Sequence, residues 1–247
     1  MRLKLLPTIS ASAAFILLTA LSCHAAGPSI KDITAALDRA QTPSDITRQV
    51  SIIEAMGGKK GAAEYAQLAR AYYLLGDEEK DKNRRLANFD RAVAASDSAL
   101  RSTPGYCYAL YWRSMALLQK ADIAGGLSAL RMVKQALRDL ETVEAVDVYY
   151  DSAGAARTRG KVLIEAPAWA FIGDKKKGTA LLEKAKSLSP TCLINRLYLA
   201  EAYLKTDRQK EAASELDYIM NAPVDKTRPK DDLSVKQDAD RLMNDVR

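Results

Sequence analysis

The chain has 247 residues, of which 48% are hydrophobic and 28% charged, the balance of an ordinary soluble protein of one or two domains. Its formal net charge is +6, but the charges are interleaved along the chain, which disfavours a role in binding nucleic acid. The only histidine, His24, lies in an N-terminal segment that is predicted to leave the fold, which excludes Ser-His-Asp and Cys-His catalysis and histidine-ligated metals.

Residues 1–25 have the pattern of a secretory signal. Arg2 and Lys4 precede an apolar stretch, Ala11 to Leu21, which is followed by small residues. This stretch is shorter than the ~20 apolar residues of a spanning helix, and no later segment comes near that length. We therefore expect export, with a bacterial periplasm as the destination. Two kinds of processing stay open: cleavage after Ala25, which gives a soluble protein, or acylation at Cys23, which gives a lipid-anchored one.

The rest of the chain is predicted to be helical, without a strand of any length. Ser29 should cap a helix that runs from Pro28 to Thr42, and "TPSD" should begin a second helix that ends at Met56. Further helices are predicted at 62–75, 84–102, 107–120, 123–144, 148–165, 175–188, 192–205 and 209–220. Residues 223–232 should form a linker, and 233–246 an amphipathic helix that caps the last hairpin. The predicted organisation is thus a repeat domain, 26–222, and a linker with a capping helix, 223–247.

A small residue recurs at equivalent places along this helical region. In the segment 195–216, Ala200 shares a helix face with Leu199 and Tyr203, and Ala212 lies on the helix that follows. A small residue at this place lets a second helix approach closely, so the segment should fold as a helical hairpin. The same kind of small residue occurs three more times upstream, at Ala69, Ala116 and Gly160. Recurring units of this kind predict stacked hairpins, none of which can bury its apolar face alone.

The pattern resembles the tetratricopeptide repeat (TPR), which is best matched by 195–223, although Arg196 stands where an aromatic residue is usual. Extra residues, "EEKDKNRRLAN" at 78–88 and "APAWAF" at 166–171, lengthen two of the units. The chain is also similar to the T-component family associated with tripartite ATP-independent periplasmic transporters. The matching segments are "ALYWRSMAL" at 109–117, "YYDSAGAARTRGKVLIEAPAW" at 149–169, "IGDKKKG" at 172–178 and "SLSPTCLINRLYLAEAYL" at 187–204.

That resemblance covers about 60–225, and Arg159 departs from it, because the family usually has leucine there. It implies an all-α fold, a right-handed solenoid of TPR-like helical hairpins. It also implies a role in scaffolding a periplasmic partner such as a solute-binding protein, and for some members an apolar ligand in a central pore.

The TPR register predicts a binding groove on the concave face, formed by the first helix of each hairpin. The residues predicted to line it are Arg70, Tyr73, Arg113, Leu117, Lys120, Arg157, Lys161, Leu197, Glu201 and Leu204. Most of them are Arg, Lys or Tyr, so the groove should suit an acidic peptide or a C-terminal carboxylate, which arginine binds in a bidentate manner. The alternative is that they are ordinary exposed side chains of amphipathic helices.

Two further groups of residues have open interpretations. The run Tyr149-Tyr150-Asp151, together with Tyr111, could line a ligand cavity or could be ring packing between repeats. Cys107 and Cys192 occupy similar places in hairpins separated by a whole repeat. We expect their Cα atoms to be farther apart than the ~7 Å that a disulfide allows, and so no bridge between them.

These observations favour a non-catalytic protein without metal or cofactor. The leading hypothesis is a periplasmic adaptor or scaffold that binds another periplasmic or envelope protein in its groove, such as a solute-binding protein or a component of a secretion or assembly system. The first alternative is a transporter-associated carrier that holds a small apolar or anionic solute in a central cavity. The second is a structural part of an envelope complex. No nucleic-acid partner is expected, and contact with the membrane is expected only through a lipid on Cys23.

Overall fold

The computed structural model describes residues 28–166 and 172–246, and every regular element within these ranges is a helix. The helices are α1 (Ile30–Asp38), α2 (Pro43–Ala55), α3 (Ala62–Glu78), α4 (Lys82–Ser102), α5 (Cys107–Ala124), α6 (Gly126–Val146), α7 (Tyr150–Glu165), α8 (Lys175–Leu188), α9 (Leu193–Leu204), α10 (Gln209–Asn221) and α11 (Pro229–Val246). A single 3-10 turn, Gly57–Lys59, joins α2 to α3. The predicted signal segment with Cys23, and most of the insertion at 166–171, lie outside the described residues. None of the helices in the described ranges combines the length and the apolar character that crossing a membrane requires.

Short-range signals fix most of the helix ends. Ser29 caps α1 as predicted, and its capping box with Asp32 satisfies backbone N–H groups that the first turn leaves free. Thr42 and Asp45 form the same arrangement at the start of α2. The last helix differs from its prediction, because it begins at Pro229 and not at residue 233. Proline is favourable in a first helical turn, where its missing N–H group has no partner to lose, so the predicted linker is shorter than expected.

Consecutive helices pack as hairpins, which then stack. The pairs α3–α4, α5–α6, α7–α8 and α9–α10 make the most extensive contacts within the repeats, and α4–α5, α6–α7 and α8–α9 join one hairpin to the next. The helices α1 and α2 precede the first hairpin and pack against α3, whereas α11 packs on α9 and α10. The predicted solenoid of helical hairpins is therefore confirmed.

The small residues lie at the points where the helices approach most closely. Ala69, Ala116 and Ala200 are completely buried, and Gly160 is buried as well. A Cβ atom on Gly160 would lie 2.9 Å from the carbonyl oxygen of Gly178 in α8, closer than such atoms pack. The prediction that these four positions face inward is correct.

The core continues through the stack and ends under α11. Leu193, Leu216 and Ile219 from the last hairpin form an apolar cluster with Val235 and Ala239 of α11. The final helix thus covers an apolar surface that the last hairpin would otherwise expose.

Arg196 stands where the TPR pattern usually has an aromatic residue. In this chain the position forms a buried ion pair. The Arg196 Nη1 donates to Glu215 Oε2 at 2.6 Å, and both side chains are buried. The guanidinium also lies over the ring of Tyr218, 3.4 Å from its centroid. Lys186 forms a second ion pair with Glu215. The departure from the repeat pattern is thus compensated by paired charges and ring stacking.

Candidate functional site

The first helices of the hairpins surround a central cavity of about 420 Å³. Residues of α3, α5, α7 and α9 line this cavity, together with the end of α1, Ile46 of α2 and the first half of α11. No lining residue in the described ranges comes from the second helices α4, α6, α8 or α10. The arrangement places the concave face of the repeats on the first helix of each hairpin, as the TPR register predicts.

A second space of about 720 Å³ lies beside the central cavity, and we call it the aromatic cleft. Its aromatic lining consists of Tyr106, Tyr108, Trp112 and Tyr150. The rings support one another, since the centroids of Tyr108 and Tyr150 are 4.7 Å apart and Trp112 Nε1 donates to Tyr150 Oη at 2.9 Å. The cleft therefore has an aromatic wall whose conformation is fixed by ring packing and a hydrogen bond. Tyr150 thus packs between repeats and also lines this cleft, whereas binding of a ligand there stays a prediction.

The backbone at the edge of the cleft is strained. Asp151, Ser152 and Ala153 have φ values of 48°, 55° and 65°, so three successive residues with side chains adopt the left-handed conformation at the start of α7. Each such residue costs roughly 1–2 kcal/mol, and the conformation persists only where the surroundings enforce it. The amide of Asn195 does so in part, because its Nδ2 donates to the Ser152 carbonyl oxygen at 2.9 Å.

The carboxylate of Asp151 is the centre of the contacts that hold this turn. Tyr111 Oη donates to it at 2.5 Å, and Arg157 Nη2 donates at 2.5 Å. Arg157 Nη1 also donates to the Asp151 carbonyl oxygen at 3.0 Å. Gly154 makes room for the cluster, because a Cβ atom there would lie 2.5 Å from Tyr111 Oη. A buried polar network that is satisfied to this degree fixes a single local conformation.

The protonation states of the cluster are well defined at neutral pH. Burial alone would raise the pKa of Asp151, but the Arg157 guanidinium and the Tyr111 hydroxyl outweigh it and hold that pKa below its ordinary value. Burial and the charge of Asp151 raise the pKa of Tyr111 well above its ordinary value. Asp151 is therefore an anion and Tyr111 a hydrogen-bond donor over the whole physiological range.

Positive charge exceeds negative charge among the residues that line the cleft. Three cationic side chains (Lys31, Arg70 and Arg228) accompany two carboxylates (Asp38 and Asp151). Arg70 Nη2 is paired with Asp38 Oδ1 at 2.5 Å, and the Arg70 guanidinium lies 5.5 Å from the ring of Trp112. The Nε atom of Arg70 is buried and donates to no acceptor among the described residues.

Arg228 enters the cleft from the segment that joins α10 to α11. Its Nη1 lies 3.4 Å from Asp151 Oδ1, and its Nη2 lies 3.4 Å from Ser152 Oγ. Both distances are at the outer limit for a hydrogen bond. The guanidinium is thus held near the cleft without close contacts, and most of its donors are free to bind something else.

Three of the predicted groove residues, Arg70, Tyr73 and Arg157, line the central cavity. Lys161 lies farther along the concave face, between α5, α7 and α9, where it forms ion pairs with Glu165 and with Glu201, another predicted groove residue. The structure therefore brings part of the predicted set together on one side of the repeats.

The other predicted residues serve contacts between helices, which corrects the predicted groove. Arg113 pairs with Asp97 of α4 and Asp139 of α6, each at 2.9 Å, and Lys120 pairs with Asp90 of α4 at 2.6 Å. The aliphatic members of the set also lie outside both cavities: Leu197 is buried beneath α11, Leu204 is half-buried against the core of the last hairpins and Leu117 is half-buried on α5.

The lining of the concave face combines predicted and unpredicted positions. Arg157 and Lys161, at predicted positions, lie beside Thr158, Val162 and Tyr198, which are two positions from the small residue of their helix. The prediction took only positions one residue after the small residue, and one helical turn to either side of these, and so missed part of the lining.

The described residues offer no other obvious chemical centre. They contain no group of three or more His, Cys, Asp or Glu side chains arranged to hold a metal ion. Cys107 and Cys192 are both free thiols, and burial raises the pKa of Cys107. Cys192 is the residue immediately before α9 and lines the central cavity.

The comparisons with known proteins identify the fold and no closer relationship. Neither a family model nor a curated protein matches the chain. Among solved structures, the chain is similar to a thermophilic TPR protein of Thermus thermophilus, with a TM-score of 0.63 and 20% sequence identity. The similarity covers 87% of this chain and 100% of that protein. The predicted all-α solenoid of TPR-like hairpins is thereby confirmed, while the relation to the T-component family stays a prediction.

Proposed function

We propose that the protein is a non-catalytic scaffold of the periplasm that binds another protein, or a peptide segment of one, in the aromatic cleft on its concave side. The observation that carries this proposal is the composition of the cleft, which places four aromatic side chains beside arginines in a space of about 720 Å³. Tyrosine, tryptophan and arginine are the residue types that contribute most to protein interfaces. Cavities of roughly 300–1,000 Å³ accommodate a ligand or a short group of side chains.

The rigidity of the cleft supports the same proposal. A wall of interlocked rings and a turn fixed by Asp151, Arg157 and Asn195 present a site whose shape exists before the partner arrives. Little conformational entropy then has to be lost on binding, which favours affinity. Strained backbone of the kind at 151–153 is often found at functional sites.

A non-catalytic role is supported by the charge states at the cleft. General acid–base catalysis is most efficient when the pKa of the catalytic group lies near the operating pH. Asp151 and Tyr111 instead have pKa values displaced away from neutrality, the first below and the second above its ordinary value. These residues act as fixed charges and fixed donors in the proposal.

The proposed location rests on the N-terminal sequence, where Arg2 and Lys4 precede the apolar stretch 11–21. The partner is then a periplasmic or envelope protein, either a solute-binding protein or a component of a secretion or assembly system. Cell fractionation of the wild type and of Cys23→Ser tests the location. Release of only the variant into the soluble fraction would support acylation, and a cytoplasmic wild type would contradict export.

A capture experiment tests the scaffold proposal. The affinity-tagged wild type, a Tyr106→Ala/Tyr108→Ala double variant and the control Leu127→Ala would be incubated with envelope extract of the producing cell. Leu127 is 74% exposed on α6, away from the cleft. We expect a protein that the wild type and the control retain and the double variant loses. Equal retention by all three chains, or retention by none, would contradict binding in the cleft.

The carrier hypothesis remains a second candidate because the central cavity is a space separate from the aromatic cleft. At about 420 Å³ it is large enough for a small organic solute, and it contains both apolar and charged lining residues. Native mass spectrometry of the purified protein separates the candidates. A reproducible added mass of a few hundred daltons would favour a carrier, whereas the bare mass together with a captured protein would favour the scaffold.

A further inference from the structure

The charges around the central cavity do not balance. Seven carboxylates and four cationic side chains of the described residues line it. The four cations already have anionic partners, in the pairs Arg70–Asp38, Arg157–Asp151, Lys230–Glu78 and Arg228–Asp151. Two further carboxylates are engaged outside the cavity, because Asp232 accepts from the Asp225 amide and Asp238 pairs with Arg241. The lining thus keeps an excess of negative charge that its own cations do not neutralise.

This excess resides on two carboxylates that face the cavity from opposite ends of the chain. Asp77 lies near the end of α3 and Asp231 in the first turn of α11. Neither forms an ion pair or accepts a hydrogen bond within the described ranges. Burial raises the pKa of both carboxyl groups, and the nearby arginines only partly offset this effect. Because a desolvated carboxylate without a partner is unfavourable, a positively charged ligand would be stabilised here.

Aromatic rings line the cavity beside Asp77. Tyr73 precedes Asp77 by one helical turn, so the two side chains share a face of α3. Tyr73 is only 8% exposed, and its hydroxyl donates to no acceptor among the described residues. The ring of Trp112 lies 5.4 Å from that of Tyr73, and Tyr198 of α9 also lines the space. Rings of this kind attract organic ammonium ions through their negatively polarised faces.

The combination of rings and unpaired carboxylates favours one class of ligand. An anionic solute would be repelled by Asp77 and Asp231, and an apolar one would leave them without a partner. An aliphatic amine meets both requirements, since its ammonium group has three donors and its methylene chain can pack on the rings. The volume of about 420 Å³ is sufficient for a small organic molecule.

We propose that the central cavity binds a small aliphatic diamine, whose ammonium groups are held by Asp77 and Asp231 and whose methylene chain packs against Tyr73. This inference rests on the second candidate function, the carrier, because it names the class of solute that the cavity holds. It specifies a cationic solute where the sequence led to an apolar or anionic one, and it assigns Asp77 and Asp231 as binding residues.

Calorimetric titration of the full chain tests the class of ligand. The probes are 1,4-diaminobutane, butane-1,4-diol and succinate, which share a four-carbon chain and differ in charge. We expect saturable binding of the diamine and at least tenfold weaker binding of the other two. Equal or tighter binding of the diol or succinate, or no binding of the diamine, would overturn the inference. Displacement of the diamine by calcium chloride at the same charge concentration, but not by sodium chloride, would indicate a site for inorganic cations and would also overturn it.

Charge-neutral variants test the two carboxylates. Asp77→Asn and Asp231→Asn should each weaken diamine binding roughly tenfold or more, because a charge-assisted hydrogen bond is lost. The control Asp240→Asn removes the same charge from an exposed position of α11 and should bind like the wild type. Wild-type affinity of both Asp77→Asn and Asp231→Asn would overturn the assignment.

The stability of these variants separates a binding role from a structural one. Because the pKa of each carboxyl is raised in the folded chain, its charged form opposes folding at neutral pH. Neither substitution should therefore lower the unfolding temperature measured by circular dichroism. A fall of more than about 4 °C would identify a structural carboxylate and overturn its assignment as a binding residue.

Native mass spectrometry keeps this inference apart from the carrier candidate on which it rests. A reproducible added mass in the purified protein, together with no binding of the diamine, would support a carrier of another solute and overturn the inference. Diamine binding that is lost in Asp77→Asn, in a chain purified at its bare mass, would support the cavity site and contradict the carrier role.

Discussion

Replacement of Gly160 by alanine should destabilise the protein, although alanine is the better helix former. Within α7 the substitution gains about 1 kcal/mol of helix propensity. The added Cβ would however lie 2.7 Å from Leu182 Cγ and 2.9 Å from the carbonyl oxygen of Gly178. Leu182 is completely buried, so neither neighbour can move without separating α7 from α8.

The cost of such overpacking is typically 1–3 kcal/mol, and contact with backbone places Gly160 at the upper end of this range. The net loss in free energy of unfolding should therefore be about 2 kcal/mol, or roughly 4–8 °C in unfolding temperature for a chain of this length. Urea unfolding followed by circular dichroism at 222 nm measures it.

Gly58→Ala is the matched control. A Cβ on Gly58 would have no neighbour within 4 Å, and the residue lies outside the hairpin crossings. We expect a change within about 0.5 kcal/mol for this variant. A Gly160→Ala chain as stable as the wild type would refute the close contact of α7 and α8 on which the packing argument depends.

Two further predictions concern the buried charges. Because the pKa of Asp151 is lower in the folded chain than its ordinary value of about 4, its contacts add to the free energy of unfolding above that pH and are lost as the pH falls through the folded pKa. Urea titrations between pH 3 and 7 should therefore show a shallower acid loss for Asp151→Asn than for the wild type, and parallel curves would contradict this role. Glu215→Ala should lower the free energy of unfolding by about 3–5 kcal/mol, because it leaves the buried Arg196 without its anion. A loss below about 1 kcal/mol in the same assay would contradict the ion-pair account.

The parts of the fold that sequence reasoning predicts well are those decided by neighbouring residues. Ser29 and Asp32 fix the start of α1 within one turn of chain. The small residues at 69, 116, 160 and 200 predict the helix crossings because only a small side chain permits such an approach, whatever lies on the opposite helix. Local rules of this kind need no knowledge of the three-dimensional arrangement.

The residues of the proposed binding site, in contrast, lie far apart in the sequence, and no local pattern connects them. Asp151 meets Tyr111 and Arg228 from positions 40 and 77 residues away. Left-handed backbone at three residues with side chains has no sequence signal, because any of them would prefer another conformation in isolation. Arg228 lay in a segment predicted to be a linker, so its place in the cleft follows only from the tertiary structure.

The structure brings only part of the predicted groove together, for a subtler reason. The TPR register correctly selects the first helix of each hairpin, but it does not fix the rotation of that helix about its axis. Arg113 is a clear case, because its carboxylate partners Asp97 and Asp139 lie on the two adjacent second helices and orient its side chain toward them. The signal that could have been used is the presence of acidic residues on the two helices that flank α5, of which Asp139 is buried.

Site-specific photocross-linking tests most directly the claim that a partner binds in the aromatic cleft. A photoreactive phenylalanine derivative would replace Tyr106 in the cleft or, as a control, Leu127, which is 74% exposed on α6. Irradiation in the producing cell should yield a discrete cross-linked protein from position 106 and none from position 127. The same product from both positions, or none from position 106, would contradict binding in the cleft.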